Sequence, residues 1–395
     1  MRHFGHVAEN VRRRLFHREP AVFTAGSPPE ILAVALGATL YCPATRPRLA
    51  DDVVKLARRG VVSMVLCMED SIPDREVEAA EANLVRQLPR LAARAETAED
   101  GDDDLPLLFV RVRTPEQIID MVRRLGESVR VLSGFVLPKF TEDTGTPFLE
   151  ALTAAEAECG HRLFAMPVLE SPSLLHLETR RETLAGISRT VDKYRSRVLA
   201  LRLGVTDFCS AYGLRRPPDL TAYDVQVVAS AIGDVVNVLG RADGSGYVVT
   251  GPVWEYFRSG ERMFKPQLRR SPFAEAAPEA EKLRARLIAQ DLDGLLREIE
   301  LDRVNGLLGK TCIHPTHVAP VHALSVVTHE EYSDAVDILE GGSEGGVLRS
   351  SYTNKMNEVK PHRAWAERTL RRAEVFGVAR EGVSFVELLG AALPS

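Results

Sequence analysis

The chain has 395 residues, 45% of them hydrophobic and 27% charged, an ordinary composition for a globular protein. That length allows one large domain with appendages or two of average size. A net charge of −5 argues against a protein that coats nucleic acid. No apolar run reaches the roughly 18 residues a membrane span needs.

Met1 to Pro20 is rich in Arg and His, but no apolar run follows it. A secretory signal is therefore not expected, and a cytoplasmic location is. The five cysteines (Cys42, Cys67, Cys159, Cys209, Cys312) are scattered without a C-x-x-C pair. They read as reduced, mostly buried thiols.

Residues 1–33 form an N-terminal segment. From there, strand-like apolar runs fall at 34–42, 61–68, 105–112, 132–138, 162–169, 197–206, 246–253 and 306–313. Helical patterns alternate with them near 51–60, 74–94, 115–126, 147–158, 180–195, 224–240, 278–300 and 315–324. Nearly continuous hydrophobic strands suit a parallel sheet buried on both faces. Eight strand–helix pairs over 34–325 predict an α/β fold, a (β/α)₈ TIM barrel, with a doubly wound open sheet as the alternative. Beyond it, residues 326–395 read as a linker, Gly-rich from Glu340 and then polar, followed by a C-terminal helical extension. The acidic stretch Glu96 to Asp104 reads as a solvated loop rather than a calcium site.

Charges follow the strands: Arg46 after the first, Glu69 and Asp70 after the second, and Arg111 closing the third. Lys139, Glu170 and Asp207 follow the next three. In a parallel barrel these positions gather at one rim, where the active site is built. A charge at the end of a buried strand is costly unless paired or metal-bound. Glu170 and Asp207, on adjacent strands with no Cys or His beside them, are candidate Mg²⁺ ligands, since that ion takes hard oxygen donors and keeps waters. Arg111 offers a planar fork for a substrate carboxylate. Arg215 and Arg216, in the loop after Asp207, join Arg46 and Lys139 as candidate substrate-binding cations for a carboxylate, phosphate or CoA-linked group. Pairing with acids such as Asp219 is the alternative for the two arginines.

The runs LYCPATRP (40–47), CMEDS (67–71), VRV (110–112), LPK (137–139), VLES (168–171), GVTDF (204–208) and GKTCIHP (309–315) resemble the citrate lyase β-subunit and malyl-CoA lyase branch of the aldolase/citrate lyase superfamily, which includes the HpcH/HpaI aldolases. The resemblance implies Mg²⁺ on Glu170 and Asp207, the substrate carboxylate on Arg111, and Glu69 near the metal's waters. It places His314 and Pro315 at the barrel mouth. A homo-oligomer, a trimer or a multiple, is expected. Arg113 stands where that family has Asn, and Cys67 and Met68 replace the start of its D-L-E-D motif. The stretch 246–273 is longer than the corresponding loop. The run at 352–370 is similar to a divergent branch associated with stress and tellurite-resistance gene clusters.

Other motifs are set aside. Gly309-Lys310-Thr311 lacks the upstream Gly of a P-loop, with Val304 in its place. The GGSEGG run at 341–346 reads as a linker. His314 and His317 have no third ligand in view, and the arginines between 180 and 197 read as a solvated face. Three functions remain open. One is a Mg²⁺-dependent carbon–carbon lyase acting on a hydroxy or oxo acid or its acyl thioester. The second is a pyruvate-type aldolase acting on free acids. The third is a non-catalytic assembly or effector-binding barrel.

Overall fold

The computed structural model describes residues 1–97, 105–257, 278–289, 292–341 and 345–393. Eight parallel strands form its centre: β1 (Ala38–Pro43), β2 (Ser63–Cys67), β3 (Leu107–Arg111), β4 (Leu132–Leu137), β5 (Phe164–Leu169), β6 (Leu201–Leu203), β7 (Val249–Thr250) and β8 (Lys310–Cys312). Each of β1 to β6 pairs with the next, and β8 pairs with β1. A parallel bridge between Gly251 and Lys310 joins β7 to β8, with the Gly251 N–H donating to the Gly309 carbonyl at 2.9 Å. The ring is therefore closed, as predicted, and the open-sheet alternative falls.

Helices follow the strands as α1 (Leu49–Ala57), α2 (Val77–Thr97), α3 (Pro115–Leu125), α4 (Glu142–Cys159), α5 (Leu177–Lys193), α6 (Gln226–Leu239), α7 (Leu292–Val304) and α8 (Val318–Ser325). Strand alternation sorts the apolar residues into two layers. Leu40, Leu66, Val110 and Leu137 face the helices. Val65, Phe109, Val136 and Met166 fill the barrel interior. At Gly134 the backbone has φ 154°, and a Cβ there would lie 1.9 Å from the Phe164 carbonyl oxygen, so β4 and β5 can pair only around a glycine.

Several boundaries move. Val34 and Ala35, expected in the first strand, end a helix over Pro29–Ala35 that caps the floor of the barrel. An apolar run of this length does not distinguish strand from helix, and Pro29 at the first helical position was the available signal. The run 197–206 yields only the short β6, because Val205 already opens a helix to Ser210. The helical stretch 278–300 becomes two helices, Pro278–Ala289 and α7.

The two ends of the chain meet. Phe16–Arg18 pairs antiparallel with Val378–Ala379, and His6 Nε2 lies 3.1 Å from the Ala392 carbonyl oxygen. The C-terminal region is helical over His329–Glu340, Val359–Phe376 and Phe385–Ala392. The expected linker instead holds a hairpin, Val347–Arg349 against Met356–Glu358. Residues 342–344 of the Gly-rich run, 98–104 of the acidic stretch and 258–273 of the long loop lie outside the described residues. Among the described residues no helix is long and apolar enough to cross a membrane. Four cysteines are buried, Cys159 is half-buried, and all five are unpaired.

Candidate active site

The mouth is assembled from the C-terminal ends of β2 to β6. Arg111, the last residue of β3, is buried and points inward like Phe109 two residues before it. Its Nη2 donates to Glu170 Oε1 at 2.8 Å and lies 2.8 Å from Glu69 Oε2 and 3.2 Å from Asp70 Oδ2. Among the described residues Nε has no partner, so the guanidinium keeps a donor that no protein acceptor uses. Lys139 Nζ reaches Glu69 Oε1 at 3.2 Å. Its backbone N–H donates to Glu170 Oε1 at 2.9 Å from a residue held at φ 48°. Left-handed backbone at a non-glycine residue is costly and tends to be kept where a site needs it.

Asp70, Glu170 and Asp207 each present a carboxylate oxygen, and these atoms all lie within 4.8 Å of one another. With Glu69 the mouth holds four carboxylates against two cations, Arg111 and Lys139, a formal excess of two negative charges. One divalent cation would balance it. The all-oxygen donor set, part buried and part exposed, fits a hard ion that keeps waters.

The electrostatics follow from the crowding. Burial pushes the Glu170 carboxyl up to about 7, with the nearby Asp207 adding to the effect and Arg111 opposing it. Burial also raises Glu69. Asp70 moves down, because Glu69, Arg111 and Lys139 together outweigh its own burial. Arg111 is held firmly protonated, its burial offset by Glu170, Tyr41 and Glu69.

Six of the sequence candidates thus fall in one place: Glu69, Asp70, Arg111, Lys139, Glu170 and Asp207. Asp70 was not given a ligand role from sequence, although its place beside Glu69 in the CMEDS run was the signal. The remaining arginines lie apart. Arg46 is exposed and paired with Asp52 at 2.7 Å. Arg215 is exposed. Arg216 is not free for a substrate. It is buried against the barrel wall, where Nη1 pairs with Glu298 of α7 and Nη2 donates to the Val253 carbonyl at 2.7 Å. Asp219, expected as the alternative partner, is not the one used.

Arg113 clamps the β2–α2 loop. Its Nε donates to the Met68 carbonyl at 2.7 Å, and its Nη2 to the carbonyls of Glu69 and Ile72 at 3.1 Å each. Arg113 thereby ties down the loop that carries Glu69 and Asp70. His314 lies flat on Phe257, with ring centroids 4.5 Å apart, while His317 is buried against the Tyr256 carbonyl.

Beside Glu170 and Asp207 a cavity of about 770 Å³ opens between the loops leading into α4 and α5. Its lining includes Thr141, Thr144, Ser173 and Thr183. Lys139 shares the lining with five carboxylates, those of Glu142, Asp143, Glu170, Glu182 and Asp207.

A closed parallel barrel whose rim carries this carboxylate cluster beside an arginine defines the class of a metal-assisted barrel enzyme. Residues 30–378 match the family described as C–C bond lyase of the TIM-barrel fold, and the chain belongs to that family. No curated protein matches. Among solved structures, protein CitE from Mycobacterium tuberculosis, in complex with magnesium, acetoacetate and coenzyme A, is 17% identical with a TM-score of 0.52. That match covers 86% of this chain and 99% of the other. A citrate lyase from Burkholderia xenovorans is 15% identical, with a TM-score of 0.60 and coverage of 90% and 96%. Haloferax volcanii malate synthase, a magnesium/glyoxylate complex, is 14% identical with a TM-score of 0.50, covering 72% and 73%. At these identities the likeness is one of fold.

Proposed function

We propose that the chain is a Mg²⁺-dependent carbon–carbon bond lyase acting on a carboxylate-bearing hydroxy or oxo acid. The observation that carries this reading is the convergence of Asp70, Glu170 and Asp207 on one point, with the Arg111 guanidinium against them. These three carboxylates would hold the ion, which when bound would supply Lewis-acid polarisation of the substrate's oxo group. Magnesium, named with two of the neighbours of like fold, agrees with the donor set found here.

The chain's own residues do the rest. Arg111 uses its unspent Nε donor to hold the substrate carboxylate, which fixes the orientation of the bond to be broken. Lys139 adds positive charge on the side where an enolate develops. Glu69, bridged by Lys139 and Arg111 and outside the metal's donor set, is the carboxylate placed to move the proton that cleavage requires. Arg113 holds Glu69 and Asp70 in place through the backbone of their loop.

A free acid fits the site better than an acyl thioester of CoA. Among the described lining of the side cavity, acids outnumber the single cation, which disfavours a polyphosphate tail there. Calorimetric titration of Mg²⁺ into wild type, Glu170→Ala and Asp207→Ala tests the metal site. An affinity loss of at least tenfold in each variant is expected, and wild-type affinity in both would overturn the assignment. Release of a 2-oxo acid from candidate hydroxy-oxo acids, dependent on Mg²⁺ and lost in Arg111→Ala, tests the reaction.

A further inference from the structure

Below the carboxylate rim the barrel holds a buried cation, Arg202, with no acid paired to it among the described residues. Arg202 is the middle residue of β6 and is 1% exposed. Leu201 and Leu203 on either side belong to the outer layer, so Arg202 projects inward. Its Nη2 donates to Thr311 Oγ1 at 2.7 Å and its Nη1 to Thr39 Oγ1 at 3.3 Å. Its guanidinium carbon lies 5.5 Å from the centre of the Tyr41 ring.

The other buried arginines are handled differently. Arg111 faces Glu170, Arg180 faces Asp234 and Arg216 faces Glu298. Arg202 has hydroxyl, thioether and ring partners and, among the described residues, no carboxylate. Two further polar atoms at the same level are buried without a partner among the described residues: its own Nε, and Oγ1 of Thr250, the residue in register with it on β7. Burying a charge beside unsatisfied polar atoms is costly, and such a group calls for an explanation. A bound anion would satisfy all of them at once.

The position suits a substrate group. Arg202 is in register with Val168 on β5, and Glu170 follows two residues further along, on the same inward face. At about 3.3 Å per residue, Glu170 is roughly 7 Å nearer the mouth. That interval is comparable to the length of a short dicarboxylic acid. Tyr41 lies between the two levels, close enough to feel the charges of Arg202, Arg111 and Glu170 together. Tyr41 and Thr311 are only half-buried, so the cage opens towards the mouth.

We propose that Arg202, with the hydroxyls of Thr39, Thr250 and Thr311, forms an anion subsite in the floor of the barrel that takes a second carboxylate of the substrate. This rests on the reading that the mouth handles a carboxylate-bearing acid, and it narrows that acid to a dicarboxylate.

The subsite is tested first without metal. Thermal unfolding is followed in EDTA with rising malonate against chloride at matched ionic strength. A saturable rise in midpoint is expected in wild type and in Arg111→Lys, and none in Arg202→Met. Methionine is chosen because apolar replacement of a buried ion commonly preserves folding. Thr311→Val, which removes one half-buried hydroxyl, gives a second variant and should raise the half-saturating malonate concentration about tenfold. Equal stabilisation in Arg202→Met, or none in wild type, overturns the proposal.

Its role is then read with Mg²⁺ present, by calorimetry with oxaloacetate and pyruvate. Wild type should prefer the dicarboxylate at least tenfold, and Arg202→Met should bind the two alike. If malonate acts through Arg202 but pyruvate with Mg²⁺ does not bind, the subsite stands and the lyase reading falls. If pyruvate binds and malonate is indifferent to Arg202, the reverse holds.

Discussion

Gly204 lies so close beneath Glu170 that a Cβ on it would fall 2.4 Å from the Glu170 Cβ and equally near its Oε2. The glycine is the residue between β6 and the helix that carries Asp207, so this contact sets the spacing of the two carboxylates. Gly204→Ala should push Glu170 off its position and weaken Mg²⁺ binding at least tenfold. The overpacking should cost only about 1–3 kcal/mol of stability. Metal titration beside a urea melt checks both halves, and unchanged metal affinity in a folded variant would refute the spacing argument.

Arg111→Lys keeps the charge against Glu170 but loses the planar fork. Pyruvate affinity measured with Mg²⁺ present should fall about tenfold or more, while Mg²⁺ affinity stays within a factor of about three. Should the acid bind undiminished, the carboxylate clamp lies elsewhere. Arg113 is then a poor substitute, since its donors are committed to the carbonyls of Met68, Glu69 and Ile72.

The strand–helix rhythm was legible because a parallel barrel buries each strand on both faces, leaving long apolar runs such as 61–68 and 132–138. The rim charges were legible because an ionisable residue directly after such a run needs a reason. Glu69, Arg111, Lys139, Glu170 and Asp207 were reached that way, and the structure brings them together. The pairing of Arg216 was not legible, because its partner, Glu298, lies 82 residues away on α7 and no local pattern encodes it. Arg202 passed unnoticed inside LALRL, where one basic residue in an apolar strand does not reveal which face it takes. The helix over Pro29–Ala35 was hidden by the apolar run it shares with β1.

Acid should destabilise the protein through its buried histidines. Burial pushes His3 down to about 3 and His317 to about 4 from an ordinary 6.5, and His322 lower still than that ordinary value. The unfolded chain then binds protons below pH 6.5 that the native state refuses. Their contribution is complete above 6.5 and is lost as pH falls towards the folded values. Glu170 and Asp302, raised to about 7 and about 6, work in the opposite sense over part of that range. Comparing wild type with His3→Phe isolates one group, since the ring stacks on Phe376 at 4.2 Å and a phenyl can replace it. The wild-type curve should fall relative to the variant by about 1.4 kcal/mol per pH unit between 6.5 and about 4. Parallel curves would show that His3 is not the titrating group.

Arg216 belongs to a buried network outside the barrel ring, and removing it should injure the fold rather than the site. Glu298, fully buried, pairs with Arg216 and with Lys310 Nζ at 2.9 Å and accepts the Ala222 N–H at 2.7 Å. Lys310 also reaches Asp302 at 2.7 Å, and the Tyr223 hydroxyl donates to Asp302 at 2.8 Å. Two cations and two carboxylates balance, so every charge taken out of water has a partner. Arg216→Ala leaves Glu298 with one cation instead of two and empties a space beside Trp254. Breaking a buried pair from one side costs on the order of 3–5 kcal/mol. Mg²⁺ affinity, measured at a temperature where the variant remains folded, should be unchanged within about threefold, because no member of the network is among the carboxylates at the rim. Arg216→Ala combined with Glu298→Gln should recover part of the loss, since the uncompensated charge is removed with its partner. A variant with normal stability and weakened binding of the acid would instead return Arg216 to the substrate side of the barrel.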